Sequence, residues 1–176
     1  MKFTLKDYQE EAVADVLQRL TRARRRWRED REAQAFSLTA PTGAGKTIMA
    51  AAVFEAIFHG DDGFDFDADP GAVVIWFSDD PSLNEQTRFR LGEASDRLNW
   101  TDLHVVENSF NREKFSPGKI YFLNTHKLSR NSLLVRGYDP GDETQPNLPD
   151  MRPDARSHTI WDTIRNTIED PALTLY

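Results

Sequence analysis

The spacing of apolar residues along the chain predicts four helices, and residues 128–135 predict a further short one. Between residues 6 and 27 apolar side chains recur every three or four positions, which is typical of an amphipathic helix. Residues 46–58 are rich in alanine, isoleucine and phenylalanine and predict a second helix. Pro81 suits the first turn of a third helix over residues 81–98, and apolar spacing over residues 158–168 predicts a fourth.

Strand-like segments alternate with these helices. Residues 72–77 are apolar throughout, as expected of a strand that is covered on both faces in a parallel sheet. Residues 35–39, 103–106 and 119–124 predict further short strands, and residues 173–176 look like the start of another. Alternating strands and helices predict an α/β fold, a parallel sheet with helices on both faces.

One segment breaks this alternation. Residues 137–157 contain four prolines and several polar residues, which predicts a long flexible loop. The rest of the chain reads as a single domain over residues 1–176, because that length suits one sizeable core.

Composition narrows the class of protein. The chain is 39% hydrophobic and 29% charged, with no cysteine, so disulfides and thiolate metal sites are excluded. No apolar run approaches the roughly 20 residues that span a bilayer, and the N-terminus lacks the apolar core of a secretory signal. We therefore expect a cytoplasmic protein without a membrane partner.

Charge is unevenly distributed along the chain. The net charge of −7 argues against a heavily basic nucleic-acid binder, yet arginines crowd residues 22–31. These arginines either form a solvated helix end or meet a DNA backbone, and the sequence leaves both interpretations open.

The segment that follows residues 35–39 carries the clearest chemistry. Two glycines allow backbone conformations that turn successive N–H groups towards an anion, and the next helix adds its positive N-terminal end. Lys46 supplies a charge near the β- and γ-phosphates, and the hydroxyl of Thr47 is suited to coordinate Mg²⁺. The sequence therefore predicts a P-loop that binds a nucleoside triphosphate, formed by Ala40-Pro41-Thr42-Gly43-Ala44-Gly45-Lys46-Thr47.

This loop and its flanking segments resemble a known superfamily. An alanine-initiated loop resembles motif I of superfamily 2 helicases, and Leu5-Lys6-Asp7-Tyr8-Gln9 resembles their adenine-reading segment. Residues 74–78 followed by 83–87 resemble motif Ia, and residues 120–128 resemble motif Ib. Within the superfamily, the chain is most similar to the helicase (Res) subunit of type III restriction enzymes and related DEAD/DEAH-box proteins.

The resemblance implies a RecA-like first motor domain that binds ATP and Mg²⁺ and whose parent protein moves along duplex DNA. By this resemblance Gln9 reads adenine, Thr42 to Thr47 hold the phosphates and Mg²⁺, and Lys46 and Thr47 serve catalysis. Ser78, Thr125 and Lys127 would contact nucleic acid. In a restriction system, a separate methyltransferase (specificity) subunit would recognise the DNA site.

Hydrolysis in the superfamily needs an Asp-Glu pair after an apolar strand, and no such motif is found. Asp142-Glu143 follows no apolar strand. We therefore expect the chain to be the N-terminal part of a longer helicase or translocase, which binds nucleotide but hydrolyses it poorly. Two alternatives remain at this point: a compact P-loop kinase or ATPase that uses Asp79 or Asp80 for Mg²⁺, and a non-catalytic nucleotide-binding module. Asp79 or Asp80 would otherwise cap the third helix.

Overall fold

A computed structural model describes residues 1–129, 132, 134–135 and 157–176. The described residues contain four α-helices and four strands, which alternate except that α2 follows α1 and β3 follows β2, with short 3₁₀ helices at 62–64, 100–102 and 125–128. The elements are α1 (Asp7–Asp30), α2 (Lys46–His59), β1 (Ala72–Ser78), α3 (Pro81–Ala94), β2 (Leu103–Val105), β3 (Lys119–Asn124), α4 (Ile160–Glu169) and β4 (Thr174–Leu175). The loop predicted over 137–157 lies outside the described residues, except for Ser157.

The four strands form one sheet in the order β2-β3-β1-β4, and every neighbouring pair is parallel. The longest pairing joins β1 to β3, from Val73 opposite Lys119 to Ser78 opposite Asn124. The central strands have almost no exposed residues, which explains why residues 72–77 are apolar without alternation. The predicted parallel α/β sheet is confirmed.

Successive residues of each strand face opposite sides of the sheet, so each side has its own core. Ala72 and Val74 pack with Ile120 on the side covered by α1, α2 and α3. Val73 and Tyr121 belong to the other core, which is covered by α4. Helices therefore cover both faces, as predicted.

The boundaries of α3 follow from its side chains. Asp80 caps the start, where its carboxylate accepts the Ser82 N–H at 2.8 Å, and Pro81 occupies the first turn. The helix ends at Ala94, short of the predicted end at Leu98. Ser95 adopts an extended conformation, and its hydroxyl accepts the Leu98 N–H at 2.8 Å, so the backbone turns away from the helix.

The strand predicted over residues 35–39 is wrong. These residues are exposed and form no strand, with Phe36 at 40% and Leu38 at 44% exposure. A groove of about 450 Å³ is lined by residues 33–36, by residues 20–27 of α1 and by β4 with its flanking residues. A strand requires a partner at hydrogen-bonding distance, and β4, the outermost strand of the sheet, is separated from this segment by the groove.

In the described residues, no helix combines the length and apolarity needed to cross a membrane.

Candidate nucleotide-binding site

The predicted P-loop lies at the carboxyl edge of the sheet, next to the start of α1. The N–H of Asp69, just before β1, donates to the Ile57 carbonyl at 2.8 Å, so the C-terminal end of α2 meets the amino end of β1. Phe54, one turn before Ile57, contacts Trp76 further along β1, with ring centroids 6.0 Å apart, so α2 runs antiparallel to β1 and its N-terminal end, which carries the loop, lies towards the carboxyl ends of the strands. Ligands of open α/β sheets commonly bind at that edge.

Two glycines give the loop its shape. Gly43 and Gly45 have φ values of 84° and 83°, in the left-handed region that glycine adopts readily. A Cβ atom at position 45 would lie 2.4 Å from Nε2 of Gln9, so a larger residue would have to displace that side chain. No such contact limits Gly43, where open space surrounds the Cβ position.

The loop and the first turn of α2 present backbone donors with no partner in the described part of the chain. Only Ala44 donates within the loop, to the Pro41 carbonyl at 3.2 Å. The amides of Gly43, Gly45, Lys46 and Thr47 donate to no described residue. Because a helix N-terminus also carries positive partial charge, this set of donors fits a phosphate group.

Lys46 and Thr47 add side-chain chemistry at the same place. The Lys46 ammonium folds over the loop and donates to the carbonyls of Ala40 at 2.8 Å and Pro41 at 3.1 Å. These neutral carbonyls are weaker partners for an ammonium than phosphate oxygens would be. The hydroxyl of Thr47 makes no hydrogen bond to a described residue, which leaves it available for Mg²⁺. Thr42, at the start of the loop, is exposed.

Gln9 lies against the loop rather than on an open helix surface, since its side chain is only 6% exposed. Its Nε2 donates to the Ala44 carbonyl at 2.9 Å, and its Oε1 accepts the N–H of Lys6 at 3.0 Å. The neighbouring Tyr8 hydroxyl donates to the same Ala44 carbonyl at 3.1 Å. Adenine recognition by Gln9 stays a prediction, because one amide nitrogen and one oxygen are already bonded within the protein.

Ser78 and Thr125, two predicted nucleic-acid contacts, lie at the ends of the paired strands β1 and β3. Thr125 donates its hydroxyl proton to Asp79 at 2.7 Å. The Ser78 hydroxyl lies 2.6 Å from Oδ1 of Asn84 and 3.0 Å from the carbonyl of Asp80. The sheet pairs Ser78 with Asn124, so these two residues lie in one polar cluster, in which Thr125 bonds to Asp79 and Ser78 bonds to Asp80 and Asn84.

Lys127, the third predicted contact, is directed elsewhere. Its ammonium donates to the Val106 carbonyl at 2.7 Å and lies 3.5 Å from the Glu107 carboxylate. Contact with a DNA phosphate by Lys127 stays a prediction, and it would require the ammonium to leave this carbonyl.

The acidic pair after β1 has local roles. The hydrogen bonds from the hydroxyl and then the backbone N–H of Ser82 hold the pKa of Asp80 below its usual range. Asp79 accepts the Thr125 proton, and the Asp79 carbonyl accepts the Asn124 amide at 3.0 Å. The sequence left two interpretations of this pair, a ligand of Mg²⁺ or a helix cap. In the structure Asp80 caps α3.

One member of the arginine cluster does not belong to a solvated helix end. Arg24 is only 9% exposed, donates to the Asp67 carbonyl at 3.0 Å and stacks on the Phe66 ring at 4.0 Å. A sequence signal for this burial exists. Arg24 falls on the same side of α1 as the buried Val13 and Leu17, as helical spacing predicts. The other arginines at residues 22–31 are exposed.

Comparison with known protein families gives a match over most of the chain. The sequence model of the family described as "Type III restriction enzyme, res subunit" matches residues 2–162, which is most of the chain. No curated protein and no solved structure matches it.

Proposed function

This chain belongs to the family of the type III restriction enzyme res subunit, and we propose from that premise that it binds Mg²⁺·ATP through residues 42–47. The family is one of helicase-like ATPases of restriction-enzyme type. The chain would be the ATP-binding part of a protein that couples ATP hydrolysis to movement on duplex DNA. We further propose that this protein works with a separate methyltransferase subunit and acts in the cytoplasm.

The single observation that carries the proposal is the set of unpartnered backbone donors around Lys46. Gly43, Gly45, Lys46 and Thr47 offer N–H groups that no described residue accepts, and the ammonium of Lys46 has only two neutral carbonyls as partners. A triphosphate satisfies all of these groups at once. The match of the family model over residues 2–162 supports the same assignment independently.

Each residue of the loop has a separate task in this proposal. The backbone amides hold the β-phosphate, Lys46 neutralises charge on the β- and γ-phosphates, and Thr47 orients the metal. Mg²⁺, when bound with ATP, neutralises charge that develops on the phosphates during transfer. Gln9 would contact adenine with the amide hydrogen that Ala44 does not use.

Hydrolysis by this chain alone should be slow. Asp80 is bonded to the first turn of α3 and Asp79 to Thr125, so neither supports the role of a metal-binding acid that the kinase-like alternative needs. We expect Mg²⁺·ATP to bind with little phosphate release.

Phosphate release from the purified chain tests the proposal and its alternatives together. Steady release that disappears in a Lys46→Ala variant would contradict the expectation of slow hydrolysis and favour a compact ATPase. A compact ATPase that used Asp79 would also lose turnover on Asp79→Asn. If the chain binds ATP but releases no phosphate, with or without duplex or single-stranded DNA, two accounts remain. The chain is then either a part of a motor or a nucleotide-binding module. Binding of fluorescein-labelled duplex DNA by the same protein distinguishes these two.

A further inference from the structure

The carbonyl of Ala44 is the point at which α1 holds the P-loop. It accepts two hydrogen bonds from adjacent residues of the first turn of α1, from Tyr8 at 3.1 Å and from Gln9 at 2.9 Å. Both donors are separated from Ala44 by about 35 residues in sequence, so the contact depends on the fold. Carbonyl oxygens have two lone pairs, and here side chains occupy both.

This arrangement fixes the direction of a phosphate-binding amide. The peptide between Ala44 and Gly45 is trans, as are all described peptide bonds. In a trans peptide the carbonyl and the following N–H point in opposite directions. Since the Ala44 carbonyl points to α1, the Gly45 N–H points away from α1, and no described residue accepts its proton.

Gln9 is held rigidly enough to act in this way. Its side chain is 6% exposed, its Oε1 is bonded to the Lys6 N–H, and the absence of a side chain at Gly45 allows its Nε2 to approach the loop. Tyr8 differs because its ring is 48% exposed and only its hydroxyl touches the loop. Replacing the Tyr8 hydroxyl therefore removes one hydrogen bond and little packing.

We propose that Tyr8 and Gln9 are positioning residues of the P-loop, which turn the Gly45 N–H towards the phosphates of the nucleotide. The proposal rests on the proposed function, since it requires that a triphosphate binds at residues 42–47. It assigns to Gln9 an action on the phosphate site in addition to any contact with adenine, and it gives Tyr8 a role that its exposed position on α1 does not suggest.

The affinity of the whole chain for inorganic tripolyphosphate tests this proposal, because tripolyphosphate has no base to read. Tyr8→Phe should weaken the binding of tripolyphosphate and of ATP by the same factor, about 3- to 10-fold, the loss expected for one neutral hydrogen bond. Gln9→Glu keeps the acceptor for the Lys6 N–H but turns a carboxylate towards the Ala44 carbonyl, so we expect a loss of at least about 10-fold for both ligands.

Tyr176→Phe is the matched control. It also removes a tyrosine hydroxyl, here one that donates to Asp69 at 2.8 Å next to β4, and it should leave both affinities unchanged. Thermal melting of each variant establishes that the protein is folded before titration.

Two results would overturn the inference. The first is a loss of ATP affinity with unchanged tripolyphosphate affinity, which would mean that Tyr8 and Gln9 act on the base alone. The second is no loss for either ligand. Failure of the proposed function itself gives a different pattern, because Lys46→Ala would then also retain full affinity for tripolyphosphate.

Discussion

Two polar regions lie at the carboxyl edge of the sheet, and they differ in what their groups bind. In the P-loop, four backbone amides and the Thr47 hydroxyl have no partner among the described residues. At the ends of β1 and β3, Ser78 and Thr125 hydrogen-bond to neighbouring residues of the protein. The first N–H groups of any helix lack partners within the helix, but here they lie beside the Lys46 ammonium and the Thr47 hydroxyl, and this combination is the one that points to an anionic ligand.

The comparison teaches how to weigh weak motifs. A residue type at the expected place gives a candidate, and the hydrogen bonds around it decide whether it is available to a ligand. Lys46 and Lys127 illustrate the difference. Both donate to carbonyls, but Lys46 does so beside several unpaired donors, whereas Lys127 lies between the Val106 carbonyl and the Glu107 carboxylate.

The largest effect is expected for Lys46→Ala. Its removal eliminates charge-assisted hydrogen bonds to the phosphates, and we expect at least about a 100-fold loss of ATP affinity, measured by calorimetric titration. Lys127→Ala provides the comparison, because the same charge is removed from the other region, and ATP affinity should stay within about twofold. Similar losses in both variants would break the distinction between the two regions.

The next effect concerns the metal. Thr47→Ala should reduce the gain in ATP affinity that Mg²⁺ provides by about 10-fold, because the proposed protein ligand of the metal is lost. Asp79→Asn should leave that gain unchanged, since Asp79 is bonded to Thr125. The measurement is the dissociation constant of ATP in Mg²⁺ and in EDTA. A loss of Mg²⁺ dependence confined to Asp79→Asn would instead assign the metal to the strand ends.

A smaller effect on stability is expected from Lys127→Met. The variant removes the donor to the Val106 carbonyl and should lower the free energy of unfolding by about 1 kcal/mol, the net contribution of a typical hydrogen bond. Urea denaturation gives the value, and Arg90→Met, at an exposed position of α3, serves as the control that should change nothing. Unchanged stability in Lys127→Met would show that this lysine is free for another partner.

The smallest effect is a pH dependence of stability that nucleotide binding should not share. Burial, together with the positive charges of Lys119 and Arg112, lowers the pKa of His104 below its ordinary value of 6.5. Below pH 6.5 the unfolded chain therefore binds a proton that the folded chain does not, so the free energy of unfolding should fall as the pH drops towards the pKa of the folded state. His104→Gln should flatten this part of the profile in denaturation experiments between pH 7 and about pH 5. A profile identical to that of the unmodified protein would exclude His104 as its source.

The glycine turn and the helix start at residues 43–47 could be predicted from sequence because the pattern is local, and nucleotide binding by this loop stays a prediction. Gly43, Gly45, Lys46 and Thr47 lie within five consecutive positions, and their types alone define a turn, a charge and a hydroxyl at a helix start. The sheet was equally accessible, since a fully apolar run such as residues 72–77 requires cover on both faces.

What the sequence did not predict depends on distant contacts. The hydrogen bonds from Tyr8 to Ala44 and from Lys127 to Val106 form only when separate elements of the fold come together, and no local sequence pattern predicts them. The strand prediction for residues 35–39 was wrong for a related reason. Their composition favours a strand, but strand pairing is decided by the neighbouring edge, and the groove lies between them and β4.

Amide hydrogen exchange with and without Mg²⁺·ATP tests the central claim most directly. The account predicts that nucleotide slows exchange at residues 43–47, where unpaired amides meet phosphate, and leaves residues 78–80 and 125–127 unchanged. Protection at residues 78–80 instead, or at neither region, would contradict the assignment of the P-loop as the nucleotide site.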